Sequence, residues 1–308
     1  MKPAERQTRS SLMDLFQQQG LHPRHDLGQN FLIDLNLIDY ILAQAELDRD
    51  DVVLEVGAGT GGLTTGLGHS AGAVVSIEVD HRVFPLAQQA TSHLSNVTLI
   101  NCDALKNKNH FAPQVLEALQ KELAVSPNRR LKLVANLPYC IGTPVMSNLL
   151  ASEFPLAGMV VTIQWELAER IRARPDSGHY GALSAWIQSQ CHVKVLRKLP
   201  PTVFWPRPGV DSAILKVVPS AELRQRIRDR AFFHDFLRQL FTQRRKSLRN
   251  VLAGMYRDHF TKTAIDEVLK SIDLAEGTRA EMLDCDALVK LAETVQQQIA
   301  PRQDATGG

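Results

Sequence analysis

Two short stretches hold residue types that could do chemistry together. "LEVGAGTGGLT", residues 54–64, sets a glycine-rich loop behind a hydrophobic run, and "VANLPYCIGTP", residues 134–144, sets an amide, a proline and a tyrosine behind another. Gly57, Gly59 and Gly62 satisfy G-x-G-x-x-G, a spacing that lets a ligand approach bare backbone where a strand gives way to a helix. Glu55 stands before the first glycine, Glu78 closes the next apolar run, and Asp103 closes the one after it in "NCDAL". A ring of carboxylates repels a pyrophosphate, which weighs against NAD. It suits a phosphate-free cation, and S-adenosylmethionine, with its sulfonium and ammonium, is such a ligand. One acid would serve the methionyl end, one the ribose hydroxyls and one the adenine amino group. Glycines and acids at strand ends also make turns and helix caps, so the set carries this reading and no single member does.

In the second stretch, Pro138 has no N–H and drives Leu137 towards an extended conformation. A buried strand over "LKLVA" must stop there, leaving a stiff loop that carries Asn136 and Tyr139 at the strand's carboxyl end. An exocyclic amine on a nucleobase is a poor nucleophile because its lone pair is delocalised into the ring. The Asn136 side-chain oxygen and the Leu137 carbonyl, held outward by Pro138, could accept both amino hydrogens and favour the pyramidal nitrogen of the attack. Tyr139 offers a flat face for a flipped-out base. No acid–base dyad is required. Standing alone, the loop would read as a capped turn with a tyrosine over the core.

The elements that must position these loops are written in hydrophobic periodicity. "DVVLEV", "AVVSIEV", "NVTLIN" and "LKLVA" are β-branched runs, separated by helical spacings such as Phe84, Leu86, Ala87, Ala90 and Leu94. Strands alternating with helices imply crossover units and a parallel sheet, an α/β fold. "AGMVVTI", "HVKVLRKL" and "SAILKVV" add strands that need not be parallel, and the proline-dense "LPPTVFWPRPGVD" interrupts them as an irregular surface segment. Past "VVPSAE" the pattern turns helical, with Phe233, Phe236, Leu237, Leu240 and Phe241 on one face. The expectation is one domain over 1–220 and a small helical domain over 221–308, ending in a frayed "APRQDATGG".

At 308 residues the chain exceeds what one core usually organises. Its net charge of +2 is unevenly placed: nine Lys/Arg face three acids between Ala221 and Asn250, and the remainder is net acidic. That asymmetry implies a local polyanion contact, although any one of these arginines could simply solvate a helix face. No apolar run is long enough to span a bilayer, and the polar N-terminus lacks the core of a secretory signal. The four cysteines are scattered without a C-x-x-C pair, which argues against structural zinc and disulfides and for a reducing cytoplasm.

An acidic-Gly-x-Gly loop followed by N-L-P-Y resembles the ribosomal RNA adenine N6-dimethyltransferases, and the resemblance covers nearly the full chain. "LGQNFL" at 27–32 is similar to the family's N-terminal cofactor-binding motif. "YGALS", "VFWPRPGVDSA", "FTQRRKSLRN" and "RAEML" resemble later blocks in the same order. The Q-R-R-K helical region is most similar to the KsgA-type enzymes of small-subunit rRNA. The resemblance implies a Rossmann-like class I methyltransferase sheet with a small C-terminal α-helical domain. It also implies S-adenosylmethionine as cofactor, no metal, and methyl transfer to two adjacent adenosines in the 3′-terminal hairpin of 16S rRNA. A monomer acting on a pre-30S particle would do this, with a role in small-subunit biogenesis. Implied cofactor contacts are Asn30, Leu32, Gly57, Gly59, Glu78, Asp103 and Asn136. Implied catalytic and base contacts are Asn136, Leu137, Pro138, Tyr139 and Phe204, and implied RNA contacts are Arg244, Arg245, Lys246 and Arg249.

The chain departs from the family pattern at Arg24-His25, Trp165 and Gly209, where lysines are common, and at Cys140, where asparagine is frequent. A large-subunit rRNA adenine methyltransferase of the antibiotic-resistance kind shares the pocket and N-L-P-Y, but the C-terminal blocks weigh against it. A non-catalytic ribosome-assembly factor would not need the intact N-L-P-Y and three acids. A DNA adenine methyltransferase would carry P-P-Y.

Overall fold

Strand formation follows the β-branched runs. The computed structural model describes residues 9–24 and 26–299, so His25 and the tail from Ala300 lie outside the described residues. In chain order the strands are β1 (Phe31–Leu32), β2 (Asp51–Val56), β3 (Ala73–Glu78), β4 (Val97–Asn101), β5 (Leu105–Asn107) and β6 (His110–Phe111). There follow β7 (Arg130–Asn136), β8 (Leu156–Gln164), β9 (Cys191–Leu199), β10 (Phe204–Trp205) and β11 (Ser212–Pro219). Seven of them form one sheet in the order β4-β3-β2-β7-β8-β11-β9. β4, β3, β2, β7 and β8 run parallel, and β11 returns antiparallel to β8. Every residue of β2 and β3 is buried, as expected for central parallel strands covered on both faces.

Three helices matter most for the site: α1 (Arg9–Gln18), α2 (Leu35–Ala45) and α3 (Gly62–Ser70). Asp34 caps α2 by accepting from the N–H groups of Asn36 and Leu37. Leu37, Ile41 and Ala45 of α2 then join Val53, Val74, Val134 and Val160 in the core. α1 lays Leu12 and Phe16 against Val83 and Leu86, with Phe31 and Trp205 packed at the margin. Phe16 meets Trp205 edge-on at 5.1 Å.

The chain divides into two compact units. One runs to Ala168 and resumes over Lys194–Val218, and the other comprises Glu169–Val193 and the chain from Pro219. The division at 220 expected from the sequence therefore misses one passage, Glu169–Val193. Its membership depends on partners far along the chain: Trp186 meets Phe233 at 6.2 Å, Tyr180 meets Phe241 at 5.8 Å, and the Tyr180 hydroxyl donates to the Leu283 carbonyl at 2.9 Å. No local pattern announces such pairings. In the second unit the helix Arg230–Leu240 buries Phe233, Phe236, Leu237 and Leu240, the face expected from their spacing, behind an Asp229 cap. Among the described residues no helix is long and apolar enough to cross a membrane, and no cluster of His, Cys, Asp and Glu could hold a metal ion.

Candidate active site at the carboxyl edge of the sheet

The parallel strands end on a common edge, where a cavity of about 270 Å³ opens. Four of them, β2, β3, β4 and β7, lend the cavity residues at or just past their carboxyl ends. These are Val56, Gly57 and Gly59 from β2, Glu78 and Val79 from β3, Cys102 and Asp103 from β4, and Asn136 to Tyr139 from β7. The segment Asp26–Phe31 closes the cavity from the N-terminal side. This is where ligands bind in open α/β sheets.

Two glycines make the close approaches. Gly57 and Gly59 have φ of 91° and 57°, in the left-handed region. A Cβ on Gly57 would stand 3.3 Å from the Pro138 ring, and one on Gly59 would stand 3.1 Å from the Phe31 ring. The glycine loop therefore rests directly on the N-L-P-Y loop and on the N-terminal segment.

The acids divide between two roles. Glu78 is buried at the cavity, and its two oxygens accept from the N–H groups of Gly59 at 2.8 Å and Asp80 at 2.9 Å. Each carboxylate oxygen can accept a second bond, so capacity for ligand hydroxyls remains. Burial raises its pKa. Asp103 accepts from Leu105 N–H at 2.9 Å and also lines the cavity.

Glu55 corrects the expectation of a third cavity acid. Register places it beside Ser76 on the face turned to α3, where one oxygen accepts from Ser76 Oγ at 2.5 Å and Thr64 Oγ1 at 2.7 Å. It is 1% exposed, and burial pushes its pKa from an ordinary 4.5 up to about 7. Folded protein then holds a proton that unfolded chain has released between about pH 4.5 and 7. This contribution to stability is full below that window and is lost as pH rises through it, a change of about 3 kcal/mol. Glu55→Gln should flatten the decline, which urea midpoints measured from pH 5 to 8 will show.

β7 stops at Asn136, as the proline demands. The Asn136 side-chain nitrogen donates to the Asn30 carbonyl at 2.8 Å, and because a carbonyl can only accept, the amide orientation is settled. Its Oδ1 is buried and has no hydrogen-bond partner. An orphaned buried acceptor costs about 1–3 kcal/mol and calls for an explanation in use. Leu137 N–H donates to Thr162 O at 3.1 Å, fixing the loop to β8. The Tyr139 phenol lies 2.6 Å from Ser212 Oγ.

The sequence profile of the family described as ribosomal RNA adenine dimethylase matches residues 20–290. The chain belongs to this family. A protein named ribosomal RNA small subunit methyltransferase A from Moorella thermoacetica is 36% identical over 283 residues, covering 92% of this chain and 96% of that one. Its namesake from Lactiplantibacillus plantarum is 38% identical over 280 residues, covering 90% and 92%. The crystal structure of a dimethyladenosine transferase from Plasmodium falciparum matches with a TM-score of 0.72 at 24% identity, over 86% of this chain and 97% of that one. The 23S rRNA methyltransferase ErmE matches with a TM-score of 0.58 at 22% identity, over 87% and 100%. These two structures share the fold.

The adenine dimethylase family is S-adenosylmethionine-dependent, and this member's cavity fits such a donor. It offers bare backbone at Gly57 and Gly59, carboxylates at Glu78 and Asp103, and the orphaned Asn136 oxygen. Not every expected residue reaches it. Alternation in β1 gives Phe31 to the cavity and packs Leu32 on the core. Phe204, opposite Leu32 in β10, follows it into that core and is 1% exposed, so its ring has no face free for a base. Gln29, which the "LGQNFL" block contained but did not single out, lines the cavity and bridges Asp80 Oδ2 at 3.1 Å to Arg24 N–H at 2.8 Å.

In the dimethylase's second unit, the basic residues also separate. Arg244 donates to the carbonyls of Gly178 at 3.1 Å and Tyr180 at 2.9 Å, and Arg249 makes a two-point pair with Asp266 at 2.6 and 2.8 Å. Both guanidiniums staple the unit together. Arg245 and Lys246 are exposed. At Trp165, one of the departures from the family pattern, Lys198 Nζ stands 4.7 Å over the ring.

Proposed function

We propose that this dimethylase converts two adjacent adenosines in the 3′-terminal hairpin of small-subunit (16S) rRNA to N6,N6-dimethyladenosine. It acts in the cytoplasm as a monomer on a pre-30S particle during small-subunit biogenesis. The observation that carries the chemistry is the buried Asn136 oxygen without a partner, aimed by the bond from its own amide nitrogen to Asn30. Bound S-adenosylmethionine would supply an electrophilic methyl on its sulfonium. Asn30, Gly57, Gly59, Glu78 and Asp103 would hold it, Glu78 at the ribose and Asp103 at the adenine. Asn136 Oδ1 and the Leu137 carbonyl would accept the target amino hydrogens and localise the nitrogen lone pair, and Pro138 keeps that carbonyl turned outward. Tyr139 would stack the extruded base. These acceptors act most strongly on the pyramidal nitrogen, so they favour the transition state over bound substrate.

Small-subunit specificity is supported by the shared name of both relatives and by their coverage of the helical second unit. Modified adenosines should be mapped by mass spectrometry on small-subunit particles from cells lacking the protein, with and without added enzyme. Two adjacent dimethyladenosines near the 3′ end should appear only with enzyme. Methylation confined to large-subunit RNA, or none at all, would overturn this reading.

The exposed pair Arg245 and Lys246 should contact phosphate. The double change Arg245→Glu, Lys246→Glu should weaken particle binding and reduce the slope of log K against log salt by roughly 0.7–0.9 per lost contact. S-adenosylmethionine affinity should not change. A salt titration that leaves the slope intact would mark the pair as solvated surface.

A further inference from the structure

The last residue but one of the block "VFWPRPGVDSA" is a serine that the chemistry above does not use. Ser212 opens β11, is wholly buried, and pairs in register with Gln164 of β8. The strand start is pinned because Trp165 N–H donates to the Asp211 carbonyl at 2.9 Å. From this fixed point the Ser212 hydroxyl reaches the Tyr139 phenol oxygen at 2.6 Å. At its other end Tyr139 follows Pro138, whose ring lies where a Cβ on Gly57 would meet it at 3.3 Å. The tyrosine is therefore held at both ends, its backbone by a stiff loop and its oxygen by a neighbouring strand.

We propose that Ser212 is a positioning residue for methyl transfer: it locks the Tyr139 ring so that one face stands ready for the extruded adenine. This rests on the reading of Tyr139 as the stacking residue. A ring already ordered loses no freedom when the base arrives, and the amino group is delivered to Asn136 in a reactive pose. Without the anchor the ring can turn about its side-chain bonds, and the base sits in a broader set of poses. Burial raises the phenol's pKa, so the hydroxyl remains protonated and can share a hydrogen with Ser212 at working pH.

The experiment is a double-mutant cycle read as the single-turnover rate on small-subunit particles at saturating S-adenosylmethionine. Ser212→Ala and Tyr139→Phe should each slow methylation by about fivefold to tenfold, the effect of one lost hydrogen bond. The double variant should be no slower than the slower single one, because both remove the same bond. S-adenosylmethionine affinity should match the parent in all three, which a general loosening of the cavity would not allow. Losses that multiply in the double variant, or parent rates in both singles, would overturn the proposal. If Ser212→Ala does not fold, Tyr139→Phe decides alone, since it removes one oxygen and leaves the ring. Failure of the parent itself to methylate any rRNA would instead fall on the functional reading and take this inference with it.

Discussion

Asn136→Ala should bind the small-subunit particle almost as tightly as the parent and lose nearly all dimethyladenosine formation. Affinity for a large RNA comes mainly from phosphate contacts, which this side chain does not make. Its proposed role is concentrated at one atom, the buried Oδ1, and an acceptor aimed at a developing charge would act in the chemical step. Loss of comparable preorganised groups costs on the order of a hundredfold or more in turnover. The substitution also cuts the bond from Asn136 Nδ2 to the Asn30 carbonyl, so the N-terminal segment loses a tie. Single-turnover methylation must therefore be measured at saturating S-adenosylmethionine, with particle binding on the same preparation. Parent-like chemistry in Asn136→Ala would remove the loop from the mechanism.

The second large effect belongs to Glu78. Glu78→Ala removes the acceptor for the Gly59 and Asp80 N–H groups and, in the proposed complex, for the ribose hydroxyls. Hydrogen bonds to a charged partner are worth about 1.5–3 kcal/mol each, so losing even one weakens cofactor binding by roughly ten- to a hundredfold. Glu78→Gln keeps an oxygen and should fall between the parent and the alanine variant. Isothermal titration with S-adenosylmethionine checks both, and NAD should give no heat with any of the three proteins. Turnover should recover at high cofactor concentration, in contrast to Asn136→Ala. Measurable NAD binding, or unchanged S-adenosylmethionine affinity in Glu78→Ala, would contradict the assignment.

Much of the sheet and the mouth of the cavity are legible in the sequence because their signals are local. A β-branched run makes a strand, a proline ends one, and glycines or acids just past a strand end fall on the ligand edge. What is not legible depends on facing. β2 is buried along its whole length, so no alternation of polar and apolar residues shows which way Glu55 points. Only its register with Ser76 and the hydroxyl of Thr64 reveals that it turns from the cavity. In the two-residue β1, one step of alternation separates Phe31 at the cavity from Leu32 in the core, and Phe204 inherits its burial by pairing with Leu32. Arg244 reads as an RNA contact from the charge run, yet its guanidinium is spent on carbonyls more than sixty residues earlier in the chain. Ser212 is silent in the sequence because its partner lies 73 residues away.

The second unit also has a history set by the direction of synthesis. Tyr180 and Trp186 emerge from the ribosome well before Phe233 and Phe241, and the carbonyl that receives the Tyr180 hydroxyl follows it by 103 residues. Between those events the chain returns to complete the sheet with β11. The first unit therefore has all its strands while the second still waits, with a fully buried tyrosine and tryptophan of the finished protein lacking these partners. Non-local contacts of this kind form late and leave apolar surface open in the meantime. A chain cut at residue 220 would be arrested at that stage, a half-covered unit rather than a catalytic domain freed of an appendage.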